Sequence, residues 1–375
     1  MIIKNGNVFL PDGHFHKTNI EITDSKISSL GMFDGSNSIE ASDMYVIPGF
    51  FDIHIHGAMN CDFSDGTDES IDNISEFLFS NGVTNFLGTT MALPPQTLKN
   101  IFSNAGHFVG KQRKEHSTLR GINMEGPFFS KEKRGAQNEN NIIDPDLNLF
   151  YDLMQCSGNS ILLCDIAPEL NGSDEFIVNA SKITSVSLAH TCADYNTAKS
   201  AFTCGANHVT HLFNGMSPFG HRDPGVVGAA ADAGAYVELI SDGMHVHPSI
   251  IRAVFNLFGN DRVCLISDSM RACGMPDGEY DLGGLSATVS GGCARISTGS
   301  LAGSTTCLTD CMRKAVSFGI PLESAIKACT INPAKSVGLE KMLGLISVGR
   351  DADLLILDKD LNLLKIIQRD MVFTL

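Results

Sequence analysis

Phe51-Asp-Ile-His-Ile-His-Gly57 closes an apolar run that begins Tyr45-Val-Ile-Pro-Gly and breaks at a glycine. An extended segment turns alternate side chains to opposite faces, so His54 and His56 share one side. Two imidazoles at that spacing, at the end of a buried strand, can share one metal ion. The pair is a weak signal without partners, and the rest of the chain has to supply them.

Seven more short apolar runs follow that of residues 45–56, at 84–90, 119–125, 161–167, 185–190, 208–213, 236–242 and 263–268. Most of the gaps are long enough for a helix. In one of them, Ser70-Ile-Asp-Asn-Ile-Ser-Glu-Phe-Leu-Phe79 has helical spacing and stops before Asn81-Gly82, a good helix end. Eight strands alternating with helices predict an α/β fold, a (β/α)8 TIM barrel. An open doubly wound sheet is the alternative, but no Gly-rich dinucleotide fingerprint follows an early strand.

The two ends have a different texture. Met1-Ile-Ile-Lys, Asn7-Val-Phe-Leu, Asn19-Ile-Glu-Ile and Lys26-Ile-Ser-Ser-Leu read as short strands, punctuated by Gly6, Asp12-Gly13 and Asp24-Ser25. Ala352-Asp-Leu-Leu-Ile-Leu357 and Leu363-Leu-Lys-Ile-Ile367 match them. We therefore expect residues 1–48 plus 335–375 to form one small β-sandwich domain, split in sequence, around a barrel of residues 49–334.

The polar residues gather at the ends of the predicted barrel strands: His54 and His56 on the first, Glu125 on the third, His190 on the fifth, His211 on the sixth, Asp268 on the eighth. Taken singly, Glu125 reads as a helix cap or ion-pair partner, Asp268 as a cap before Ser269, and each histidine as a rim residue. In a barrel, however, these ends converge on the face where active sites are built. The same coincidence on five strands points to one metal site.

The 375 residues carry a formal net charge of −15, which argues against general binding to nucleic acid or anionic membranes. Hydrophobic residues make up 43 % and charged residues 18 %, enough for a large core. The 11 cysteines include no Cys-x-x-Cys pair and several lie in apolar runs, as expected of reduced thiols in a cytoplasmic protein. No apolar stretch reaches the roughly 18 residues of a membrane span, and the N-terminus does not read as a signal peptide.

Pro48-Gly-Phe-Phe-Asp-Ile-His-Ile-His-Gly57, the strand-end histidines, Asp268 and Gly344-Leu-Ile-Ser-Val-Gly-Arg-Asp-Ala-Asp-Leu-Leu355 together resemble the amidohydrolase superfamily of metal-dependent hydrolases. Within it, four motifs look most like the branch that deacetylates N-acetylglucosamine 6-phosphate: Asn123-Met-Glu-Gly-Pro-Phe128; Thr210-His-Leu-Phe-Asn-Gly-Met216 followed by Arg222; Asp242-Gly-Met-His245; and Leu301-Ala-Gly-Ser304. The resemblance implies metal ligation by Glu125, His190 and His211, with His54 and His56 present for a second metal, and Asp268 as the catalytic carboxylate. It implies one or two divalent cations per chain, zinc foremost, with iron, cobalt or manganese as alternatives. Ala136, Gln137, Asn214, Gly215, Arg222, His245, Leu301, Ala302 and Gly303 match substrate-contacting positions. An arginine like Arg222 can reach a neighbouring subunit's site in this family, which implies a homodimer. The implied substrate is a small amino-sugar phosphate. Alternatives are N-acetylgalactosamine 6-phosphate, another amide, or a catalytically inactive binding relative. The chain departs from the family at Gln137, where members usually carry a histidine thought to polarise the acetyl carbonyl. Glutamine can donate a hydrogen bond but cannot be cationic.

Overall fold

The computed structural model describes residues 1–375. All eight expected barrel strands are present: Phe50–Ile55 (β1), Val83–Thr89 (β2), Thr118–Met124 (β3), Ile161–Ile166 (β4), Ser185–Leu188 (β5), His208–Val209 (β6), Tyr236–Ile240 (β7) and Val263–Ile266 (β8). Each pairs in parallel with the next. The ring nearly closes between β8 and β1, where Asp268 N donates to His54 O at 2.9 Å. Every residue of β1, β2 and β8 is buried, as parallel strands covered by helices must be.

The helix Asp68–Ser80 shows why these residues fold as they do. Thr67 caps it, accepting from Ser70 N at 3.1 Å, and Asp68 and Glu69 sit in the first turn, where the helix dipole favours negative charge. Ile71, Ile74 and Leu78 recur at helical spacing and are buried against the barrel, each contributing about 1.5–3 kcal/mol. The chain leaves through Asn81 and a left-handed Gly82. The largest core cluster, 64 residues, includes side chains of barrel strands and of the helices around them.

The termini form a second sheet of eight strands. Its order is Met371–Thr374, Leu363–Gln368, Asp353–Leu357, Tyr45–Pro48, Ile2–Phe9, Phe15–Thr23, Lys26–Gly31, with Ser38–Glu40 beside Ile2–Phe9. The two ends of the chain meet where Asp353–Leu357 pairs antiparallel with Tyr45–Pro48. A core of its own, including Ile3, Val8, Ile20, Val46, Leu354 and Ile367, lies in this sheet.

Three details differ from expectation. The run at 45–56 is two strands, not one. Tyr45–Pro48 belongs to the terminal sheet and Phe50–Ile55 to the barrel, divided at Gly49, where a Cβ would come within 2.1 Å of Thr84 Oγ1. The first two short strands are one, Ile2–Phe9, which crosses Gly6 through a register shift beside a left-handed Asn5. A three-stranded antiparallel sheet, Gly278–Leu282, Leu285–Ser290 and Cys293–Ile296, is inserted after β8 and was not anticipated.

Candidate active site

The strand-end residues meet. Glu125 Oε1 lies 3.2 Å from His190 Nε2 and 3.1 Å from His211 Nε2, and those two nitrogens are 3.2 Å apart. Glu125 Oε2 is 3.4 Å from His56 Nε2, and Glu125 Oε1 is 3.6 Å from His54 Nε2. Asp268 Oδ1 stands 3.4 Å from His56 Nε2 and 3.6 Å from His54 Nε2. All six side chains are buried. His190, His211 and Asp268 each sit just past a strand end with positive φ (45°, 27° and 47°). L-residues rarely adopt that conformation, and it persists where the surroundings enforce it, commonly at functional sites.

The hydrogen bonds behind the imidazoles fix what they offer in front. His190 Nδ1 faces Lys133 O at 2.8 Å and His211 Nδ1 faces Asn214 O at 3.1 Å. A carbonyl only accepts, so each ring donates from Nδ1, and a neutral ring then has a lone pair at Nε2. With both rings neutral, two such lone pairs and a carboxylate oxygen converge within 3.2 Å. His54 Nε2 is a buried atom with no hydrogen-bond partner. Such a donor set suits a cation. Two groups, Glu125 with His190 and His211 and Glu125 with His54 and His56, have ligand atoms close enough to hold one.

The electrostatics agree. Burial works against ionising Glu125, but the imidazoles of His190, His211, His56 and His54 around it outweigh that and hold its carboxyl well below the usual range. Burial likewise opposes charge on Asp268, and the nearby His54 and His56 bring its pKa below the ordinary value. Desolvation should make His54 and His211 poor bases, yet the carboxylates around them raise both pKa values. The carboxylates thus draw positive charge into the cluster.

A cavity of about 390 Å³ opens onto these groups. Of the expected substrate contacts, Ala136, Gln137, Asn214, Gly215, His245, Leu301 and Gly303 line it. His245 Nδ1 is held 2.7 Å from Asp242 Oδ2. Gly215 lies so close to His190 that a Cβ there would approach Nδ1 to 2.8 Å. Two expected residues lie elsewhere. Ala302 is fully buried in the core under the three-stranded sheet, its N–H bonded to Ala294 O at 3.1 Å. Arg222 is exposed on the loop before the helix Gly225–Ala233 and does not line this chain's own cavity.

Sequence reasoning missed Glu238. It lies in the middle of β7, fully buried, with Oε2 2.9 Å from His54 Nδ1 and Oε1 3.3 Å from His208 Nε2. A charged residue inside Tyr236-Val-Glu-Leu-Ile was the available signal, since such a residue is rarely buried unpaired.

The amidohydrolase family model matches residues 45–374. The chain belongs to the amidohydrolase family. That family is metal-dependent, in keeping with the donor set described above. The N-acetylglucosamine-6-phosphate deacetylase of Bacillus subtilis is 36 % identical over 98 % of this chain and 92 % of its own length. The N-acetylgalactosamine-6-phosphate deacetylase of Escherichia coli O157:H7 is 28 % identical, over 97 % of each. Among solved structures, a mutant N-acetyl-D-glucosamine-6-phosphate deacetylase of Mycobacterium smegmatis, in complex with N-acetyl-D-glucosamine 6-phosphate, superposes with a TM-score of 0.93 at 30 % identity. The match covers 99 % of this chain and 98 % of that one. No helix of this amidohydrolase is long and apolar enough to cross a membrane.

Proposed function

We infer that this amidohydrolase hydrolyses the acetamide of N-acetylglucosamine 6-phosphate, releasing acetate and glucosamine 6-phosphate. The observation that carries the reading is the convergence of four imidazoles and Glu125 beside an ionised Asp268 at a cavity, in a chain that matches such deacetylases over nearly its whole length.

Glu125, His190 and His211 would hold one divalent cation, and His54, His56 and Glu125 another. Imidazole and carboxylate donors suit zinc first, with iron, cobalt or manganese as alternatives. Such a cation would supply Lewis acidity, to acidify water and polarise a carbonyl oxygen. Asp268, kept ionised, takes the proton of the attacking water and delivers it to the departing nitrogen. The C–N bond breaks, water's oxygen stays on the acetyl group, and the amine leaves protonated. His245, Asn214, Gly215, Ala136 and the backbone of Leu301 and Gly303, on either side of Ala302, are assigned to the sugar phosphate.

Arg222 is assigned to the phosphate bound in a neighbouring subunit, because it is exposed and lies off its own cavity. A homodimer is part of this reading. An apolar cleft lined by Phe219, Ile250 and Leu257, all exposed, supports it. The reading also places the enzyme in the cytoplasm and divides the chain into residues 1–48 plus 335–375 and residues 49–334.

The galactosamine epimer is the second reading, favoured by the 28 % identity to a deacetylase of that substrate. Turnover of the two epimers side by side, with Asp268→Asn as control, tests both. We expect acetate release from N-acetylglucosamine 6-phosphate to dominate and Asp268→Asn to lower kcat by about 10²–10⁴-fold. An Asp268→Asn protein with wild-type activity would refute the mechanism.

A further inference from the structure

The segment after β3 doubles back over the site. Ser130 N donates to His190 O at 2.9 Å, and His190 Nδ1 donates to Lys133 O at 2.8 Å. Further along the same loop Gln137 is buried, and both ends of its amide are engaged. Its Oε1 accepts from Ala92 N at 2.8 Å, and its Nε2 donates to Glu125 Oε2 at 2.7 Å. The partners settle which end is which: a backbone N–H only donates and an ionised carboxylate only accepts. The other N–H has only a weak partner, Met91 Sδ at 3.8 Å.

Glu125 faces two ways. Its Oε1 lies within 3.2 Å of His190 and His211 and 3.6 Å from His54, while its Oε2 lies 3.4 Å from His56. Rotation of the carboxylate about its last C–C bond would break these contacts with both groups. The Gln137 amide, itself anchored on the backbone of Ala92, opposes that rotation. One N–H of the amide is committed to Glu125, and the second, held only by Met91 Sδ, is the one donor outside the clamp.

We propose that Gln137 is a positioning residue that clamps Glu125 between the two ligand groups and thereby sets the affinity for the second cation, the one assigned to His54, His56 and Glu125. This rests on the metal-dependent reading above. It gives the glutamine a part that needs no cationic side chain.

The test titrates metal-free protein with Zn²⁺ against a chromophoric chelator for wild type, Gln137→Leu and Gln137→Asn. Leucine keeps the volume without the hydrogen bonds, and asparagine keeps the amide one methylene too short to bridge Ala92 and Glu125. Melting of the metal-free proteins establishes that each variant folds. The expected result is two equivalents bound by wild type, with the second weakened about 10–100-fold in both variants, the first nearly unchanged and KM for the sugar phosphate unchanged. Wild-type affinity for both equivalents in either folded variant, accompanied by a fall in kcat, overturns the inference and makes the amide a direct donor to substrate. Wild type that binds one equivalent and is active also overturns it, while the proposed function stands. Wild type that binds no cation sinks both.

Discussion

Glu238 Oε2 accepts a hydrogen bond from His54 Nδ1 at 2.9 Å, and both side chains are fully buried. The carboxylate fixes the tautomer of the neutral ring, in which the Nε2 lone pair faces Glu125 and Asp268. The same oxygen lies 3.2 Å from the backbone N of His211, and the other oxygen pairs with His208. One buried carboxylate thus supports a ligand from each of the two groups. Burial opposes its ionisation, but His54 and His208 outweigh that and bring its pKa down to about 2.

Glu238→Gln keeps the shape and removes the charge. We expect its affinity for Zn²⁺ to fall about 10–100-fold, as measured by titrating metal-free protein. Unchanged affinity would mean that the His54 orientation is set by packing alone.

Arg222→Ala is expected to lower kcat/KM for N-acetylglucosamine 6-phosphate and to leave the rate on N-acetylglucosamine unchanged. If Arg222 serves a partner's site, mixing Arg222→Ala with Asp268→Asn chains rebuilds one complete site per mixed dimer. Random pairing then recovers about a quarter of wild-type activity. Mixed proteins no more active than their components would place Arg222 outside the partner's site.

The barrel was legible in the sequence because its strands are buried on both faces and read as continuous apolar runs, five of the eight ending in histidine or a carboxylate. The site was legible for the same reason, since Glu125, His190, His211 and Asp268 all stand at strand ends. Glu238 was not, because it lies within its strand and nothing local reports that a neighbouring strand brings His54 to it. Gln137 was placed at the site, but the direction of its amide depends on Ala92, 45 residues away. The inserted three-stranded sheet did leave a mark: Gly283-Gly284 and Gly291-Gly292, all at positive φ, are the two-residue turns of its hairpins. Arg222 shows the opposite limit, because an exposed arginine carries no local sign of which subunit it serves.

Stability should depend on pH through Asp353, which joins the terminal sheet to the barrel. Burial pushes its pKa up to about 6, and Arg120 offsets this only in part. An unfolded aspartate titrates near about 3.9, so between roughly pH 4 and pH 6 the folded chain holds a proton that the unfolded chain has released. Stability therefore declines as pH rises through that window and stays lower above it. Asp353 is only half-buried by surface area, so solvent screening reduces the effect to about 1–2 kcal/mol. Asp353→Asn should accordingly raise the urea midpoint at pH 8 and leave it nearly unchanged at pH 4. An equal shift at both would show that the carboxylate is not the cause.

The most direct measurement is acetate release from N-acetylglucosamine 6-phosphate before and after a chelator has stripped the protein, with cation content determined by elemental analysis at each stage. The account predicts one or two cations per chain, activity that disappears with them, and recovery when Zn²⁺ is returned to wild type but not to His190→Ala. A stripped protein that keeps its rate would contradict it.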